Sequence, residues 1–203
     1  MSRSSLPRWL PNALTALRVA LIPAFVMHAT WCAESVAGGG SEWPHRAWAG
    51  AALLGIGASD VIDGWVARRY HLATPLGAVL DAFADKLAQV CLLLFFALTE
   101  GDAFAPVPVW FVGLVLGRDV FLALGSLAVR WRRGRVDVVH EPHGKVASLL
   151  LFLLLVWLTA DLPRPVVLPA LLGIAAIVLL STAVYVREGL RQWAAGADGP
   201  RAD

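Results

Sequence analysis

Charge is scarce in this sequence: Asp, Glu, Lys and Arg make up only 16% of its 203 residues, against 58% hydrophobic residues. A soluble domain carries about a quarter charged residues, so water over most of the surface is excluded and a bilayer is the expected solvent. Cysteine is scarce too. Cys32 and Cys91 are the two present, both in apolar stretches, which excludes a disulfide framework and a cysteine metal site. The net charge of +2 comes from short arginine clusters that line no single face, so nucleic acid is not an expected partner. Neither a Gly-x-x-x-x-Gly-Lys phosphate loop nor the Gly-x-Ser-x-Gly turn of serine lipases occurs.

What is present is roughly six apolar stretches, at about 12–32, 46–68, 76–98, 107–130, 146–160 and 165–186, most near the ~20 residues that cross a ~30 Å hydrocarbon layer. The expectation is an all-α, polytopic membrane protein with six transmembrane helices. Residues 1–203 read as a single membrane domain, with an N-terminal interfacial segment at 1–11 and a mobile polar tail at 192–203. Arg3 and Arg8 ahead of an apolar run resemble a cleaved leader, but Arg18 and Pro23 interrupt that run, so a retained first span is expected. The connection from Ala33 to His45, with Gly38, Gly39, Gly40 and Pro44, reads as a loop; the one from Arg69 to Pro75 is tight.

Positive residues fall mainly on one side of these spans: Arg3, Arg8, Arg68, Arg69, Arg130, Arg132, Arg133, Arg135, Lys145, Arg187, Arg191 and Arg201, against Arg46 and Arg164 on the other. Short cytoplasmic connections retain Lys and Arg, so both termini are expected in the cytoplasm.

Asp60, Asp63, Asp81 and Asp85 interrupt apolar stretches, where a carboxylate costs about 2.5–3.5 kcal/mol at mid-bilayer. Helical spacing puts Asp60 and Asp63 on one face of the second stretch and Gly77, Asp81 and Asp85 on one face of the third. The two helices run in opposite directions. At ~1.5 Å per residue, Asp60 and Asp85 both lie about 12 Å from the shared connection, and Asp63 and Asp81 about 6–8 Å from it. Four carboxylates thus converge on the cytoplasmic half of one helix pair. Arg68 and Lys86 offset only part of that charge, and two divalent cations restore the balance. All-oxygen ligands suit Mg2+ or Mn2+, not zinc, and His71 reads as a solvated loop residue. Cations beside phosphate point to phosphoryl-type transfer. Gly64 and Gly77 admit either a nucleotide or plain helix packing.

Taken together, Asp60-Val-Ile-Asp63-Gly64-Trp-Val-Ala67-Arg68, then Gly77, Asp81 and Asp85 at their spacings, resemble the signature of the CDP-alcohol phosphatidyltransferases at every fixed position. The resemblance implies a CDP-lipid donor, CDP-diacylglycerol, and release of CMP. It implies that Asp60, Asp63, Asp81 and Asp85 bind the cations, that Asp85 is the general base, and that Asn12, Thr15, Asp60, Gly64, Ala67, Arg68 and Gly77 meet the CDP-lipid. Pro11-Asn12-Ala-Leu-Thr15-Ala-Leu-Arg18 is similar to a segment of the branch holding phosphatidylglycerophosphate synthases and single-domain cardiolipin synthases. Asn12 and Thr15 also suit helix caps. Arg118-Asp119 is similar to the cardiolipin synthase form, where the other enzymes usually carry Arg-Glu; Gly144-Lys145 also fits, with Ser148 and Leu151 replacing the usual Thr and Gln.

The expected acceptor is glycerol 3-phosphate, its phosphate held by Arg18, Lys86, Arg118 and Lys145, with phosphatidylglycerol, giving cardiolipin, as the alternative. Lys145 serves equally as a boundary marker. The resemblance extends to a homodimer as a candidate assembly, and to a bacterial cytoplasmic membrane with the active site facing the cytoplasm. An ion- or proton-coupled transporter is the rival of another class, since membrane carboxylates mark those proteins as well. A phospholipase-D-like synthase is excluded, because His143-Gly-Lys145 meets Leu150 where that motif needs Asp.

Overall fold

The computed structural model describes every residue except 1–6, 8, 71, 73, 134–141, 162 and 196–203. Six α-helices follow in order: α1 Leu10–Ala37, α2 His45–Arg69, α3 Pro75–Leu98, α4 Val109–Arg133, α5 Pro142–Thr159 and α6 Val167–Ala195, with a 3-10 turn at Arg164–Val166 before α6. The chain is all-α and polytopic, but the expectation of six transmembrane helices is corrected. Among the described residues four segments are long and apolar enough to cross a bilayer: Leu10–Ala37, His45–Ala67, Val109–Trp131 and Arg164–Arg191. The third helix fails because any 18-residue window within it contains Asp81, Asp85 and Lys86. In α5 the apolar stretch among the fully described residues is the shorter Val146–Thr159.

Other boundaries shift as well. Helix α1 continues through Ala37, so the first connection is shorter than Ala33 to His45. The tail expected from residue 192 is helical as far as Ala195, and 196–203 lie outside the described residues, as does most of the 1–11 segment.

The chain divides into two compact units. One comprises residues 1–107 and 154–164, and so holds α1, α2, α3 and the end of α5; the other comprises 108–153 and 165–203, with α4, most of α5 and α6. Within the first unit α1 packs chiefly on α2 and then on α3. Phe25, Phe95, Phe96 and Phe104 meet edge-on or tilted at 5.5–6.0 Å between ring centroids, a geometry that aromatic quadrupoles favour. Phe25, Leu53, Leu92, Leu93 and Phe96 are sealed in this core.

Arg46, counted from the sequence as one of two positive residues on the sparsely charged side, is buried beside that aromatic cluster. It donates to the carbonyls of Thr159 (3.0 Å) and Ala103 (2.7 Å), pairs with Glu42 at 2.6 Å, and lies 4.9 Å from the Phe104 ring centroid. The guanidinium therefore ties the start of α2 to the 99–108 connection and to the end of α5. Removing it orphans two carbonyls, each worth about 1–3 kcal/mol. Arg46→Ala is expected to lower stability by about 3 kcal/mol, read as an earlier thermal unfolding transition in detergent.

Candidate active site

The site forms where α2 ends and α3 begins. Thr74 caps α3, its hydroxyl accepting from the Gly77 amide at 3.0 Å, and Pro75 opens the first turn. This cap starts α3 within a few residues of the end of α2, and so sets Asp81 opposite Asp63. One oxygen each from Asp60, Asp63 and Asp81 lie within 4.8 Å of one another. The side chain of Asp63 is 5% exposed, while those of Asp60 and Asp81 are open at 51% and 38%. Asp63 Oδ1 is buried without a hydrogen-bond partner among the described residues.

The donor set fits a hard divalent cation: three carboxylates converge, no His or Cys joins them among the described residues, and one buried oxygen is left unsatisfied. Asp85 stands outside that trio. It reaches the cluster through Arg18, whose Nη1 it binds directly.

Arg18 is the feature that spacing alone does not reveal. It comes from α1, is 1% exposed, and sits among all four aspartates. Its Nη2 lies 2.5 Å from Asp63 and 3.3 Å from Asp60; its Nη1 meets Asp81 at 3.0 Å as well as Asp85. Ser59, which the motif reading passed over, takes the remaining Nε at 3.4 Å and itself donates to the Ile56 carbonyl. Its signal was a small polar residue next to Asp60 inside an apolar helix. A guanidinium expected to hold acceptor phosphate therefore has all three of its nitrogens engaged by the protein in this arrangement.

Beside the carboxylates a cavity of about 150 Å³ is lined by Thr15, Asp63, Gly64, Ala67, Gly77 and Asp81, with Pro11, Leu72, Thr74 and Ala78 completing it. Four of the residues expected to meet a CDP-lipid, Thr15, Gly64, Ala67 and Gly77, share this wall with the two inner aspartates. Asn12 is exposed at its edge. A Cβ on Gly77 would come within 3.0 Å of Asn12 Oδ1 and 2.9 Å of Thr74 Oγ1, so the rim closes tightly only around glycine.

The cap reading of Asn12 and Thr15 is corrected. Helix α1 starts at Leu10 with no side-chain cap, and Thr15 donates back to the Pro11 carbonyl at 3.2 Å. Lys86 donates to Gln89 at 3.0 Å. The side chains of Arg68 and Lys145 lie outside the described residues, as does His71. In the second unit Arg118 pairs with Asp119 at 3.1 Å, donates to Ser181 at 3.4 Å and lies 5.9 Å from the Tyr185 ring centroid. Its Nε is buried without a partner among the described residues.

The model of the CDP-alcohol phosphatidyltransferases matches residues 8–186. The chain belongs to that family. Among similar proteins, a candidate cardiolipin synthase of Mycobacterium bovis is 38% identical over 138 residues, 68% of this chain and 58% of its own length. A candidate phosphatidylglycerophosphate synthase of Mycobacterium tuberculosis is 30% identical over 185 residues, 90% of this chain and 82% of its own. The CDP-diacylglycerol–glycerol-3-phosphate 3-phosphatidyltransferase of Bacillus subtilis is 34% identical over 142 residues, 68% of this chain and 70% of its own. The match to the mycobacterial candidate cardiolipin synthases thus spans less than two thirds of their length.

Proposed function

We propose that this CDP-alcohol phosphatidyltransferase moves the phosphatidyl group of CDP-diacylglycerol to a hydroxyl of phosphatidylglycerol, forming cardiolipin and releasing CMP. The observation that carries the reaction is the convergence of Asp60, Asp63 and Asp81 beside a cavity walled by the small residues Gly64, Ala67 and Gly77. Asp60, Asp63 and Asp81, with Asp85 at their edge, would hold a pair of Mg2+ or Mn2+ ions. Bound there, the ions supply electrostatic stabilisation to the phosphate oxygens of the donor.

The chain's own residues then divide the work. Asn12, Thr15, Gly64, Ala67, Arg68 and Gly77 receive the CDP portion. Asp85 takes the proton of the acceptor hydroxyl as its oxygen bonds to the phosphatidyl phosphorus. The bond from that phosphorus to the bridging oxygen breaks, and CMP leaves with the electron pair. Arg118 and Lys145, with Lys86 and a freed Arg18, are the proposed ligands of the acceptor phosphate. The positive residues near the end of α2 support a site on the cytoplasmic side of a bacterial membrane. Residues 1–203 would act as one catalytic domain, and a homodimer is the proposed assembly.

Phosphatidylglycerol replaces glycerol 3-phosphate as first choice because the 38% identity to a candidate cardiolipin synthase exceeds the identity to the glycerol-3-phosphate enzymes, and Arg118-Asp119 agrees with it. The 90% coverage by the mycobacterial phosphatidylglycerophosphate synthase candidate keeps glycerol 3-phosphate as the second reading. Supplying CDP-diacylglycerol with both acceptors at once separates them: cardiolipin is the expected product, and phosphatidylglycerophosphate in its place would overturn the acceptor assignment.

Two further outcomes are expected. Gly77→Ala should raise the KM for CDP-diacylglycerol by about tenfold with a smaller change in kcat, since the new methyl displaces Asn12 or the Thr74 cap at the cavity rim. Arg118→Ala should raise the apparent KM for acceptor by about tenfold or more and leave CDP-lipid binding intact. Unchanged acceptor dependence would remove Arg118 from the acceptor site.

A further inference from the structure

We infer that Arg18 is the resident counter-cation of the carboxylate site, competing with divalent cations for Asp60, Asp63 and Asp81 and holding the site converged until they bind. The inference rests on the reading of those aspartates as cation ligands, and goes beyond it by assigning a cost and an order to cation entry.

Arg18 holds one oxygen of each aspartate that would carry an ion. Asp60 Oδ1, Asp63 Oδ2 and Asp81 Oδ1 all lie within 3.3 Å of its terminal nitrogens, and Asp85 Oδ1 is bound as well. Of the two oxygens of the buried Asp63, only Oδ1 is left unpartnered among the described residues. A guanidinium keeps its proton at any relevant pH, so it cannot make room by neutralising; it has to move. One such charge among four carboxylates leaves an excess of negative charge that Lys86 beside Asp85 offsets only in part, which is the incentive for further cations.

The arrangement is anchored on both sides. Ser59 fixes Nε from α2, and the stem of Arg18 rises from α1, so the ion cluster ties α1 to α2 and α3. Entry of a divalent ion exchanges these bonds for carboxylate–metal bonds and sets two like charges side by side unless the guanidinium withdraws. Withdrawn, it regains free donors in a planar fork suited to a phosphate, beside the cavity that Thr15 of the same helix lines.

The test measures Mn2+ binding to the full-length protein in detergent, by the magnetic-resonance signal of free Mn2+, together with thermal melting with and without the ion. Arg18→Gln should bind Mn2+ about tenfold or more tightly than wild type, because a like charge has left the site. It should melt earlier without the ion and gain more from its addition. Arg18→Lys should fall between the two, keeping the charge but losing the fork. Ser59→Ala should move in the same direction as Arg18→Gln by a smaller factor, and serves where Arg18→Gln does not fold. Weaker or unchanged Mn2+ binding in these variants overturns the competition. Asp63→Asn separates the two levels: it should weaken Mn2+ binding, and if wild type binds no Mn2+ or Asp63→Asn binds it equally, the cation-site reading fails and the inference with it. Binding lost in Asp63→Asn but weakened in Arg18→Gln sinks the competition alone.

Discussion

Replacing Asp85 by asparagine is expected to cut CMP release about 10³-fold while the protein still folds and binds CDP-diacylglycerol. General base catalysis contributes about 10²–10⁴ in rate, and asparagine removes the basic oxygen at nearly constant volume. The geometry supports giving this role to Asp85 above its neighbours. Asp60, Asp63 and Asp81 bring their oxygens within 4.8 Å of one another as a cation-binding group would, whereas Asp85 is one helical turn further along α3, 44% exposed and outside that trio. The amide oxygen of asparagine can still accept from Arg18, so α1 and α3 stay tied. Single-turnover release of labelled CMP, measured beside equilibrium binding of the CDP-lipid, checks the prediction; turnover at the wild-type rate would remove Asp85 as the base.

Asp63→Asn should be the most damaging change among the three clustered aspartates, with turnover lowered about 10³-fold and the concentration of Mg2+ or Mn2+ needed for half activation raised at least tenfold. Asp63 is the buried member, and one of its oxygens lies 2.5 Å from Arg18 while the other is unsatisfied. Asn retains the shape but carries no charge for a cation, and it leaves Arg18 with one fewer anion in a buried setting. Asp60→Ala should show the same cation effect more weakly, since Asp60 is half exposed and solvent can replace part of its contribution. A half-activating concentration unchanged in Asp63→Asn would contradict its place in the cation site.

The carboxylate arrangement was legible before any coordinates because two regularities suffice: the helical period that aligns Asp60 with Asp63 and Asp81 with Asp85, and a connection too short to let α2 and α3 separate. Depth from the shared connection then pairs Asp63 with Asp81, and the structure brings those residues together. Arg18 was legible only as a cation in need of an anionic partner. Its partners lie 41 to 67 residues away on other helices, and no local period encodes such a contact.

Where the reading failed, a local rule met a tertiary or compositional override. Apolar length suggested six spans, but the three charges of α3 and the shorter described apolar stretch of α5 leave four that qualify among the described residues. Asn12 and Thr15 have the chemistry of caps, yet α1 begins two residues before Asn12, so they fall inside the helix and one of them bonds back to it. Arg46 counted in the sequence only as an orientation charge, because burial of its guanidinium depends on carbonyls from Ala103 and Thr159, both remote in sequence.

The most direct measurement takes purified protein in phosphatidylglycerol-containing vesicles, adds CDP-diacylglycerol labelled in both the cytidine and the lipid, and follows both labels with and without Mg2+ or Mn2+. Labelled CMP and labelled cardiolipin should appear in equal amounts only when the cation and the acceptor are present, and chelation should stop both. No CMP with any acceptor, or solute flux across the vesicle without CMP, would contradict phosphatidyl transfer at the aspartate site.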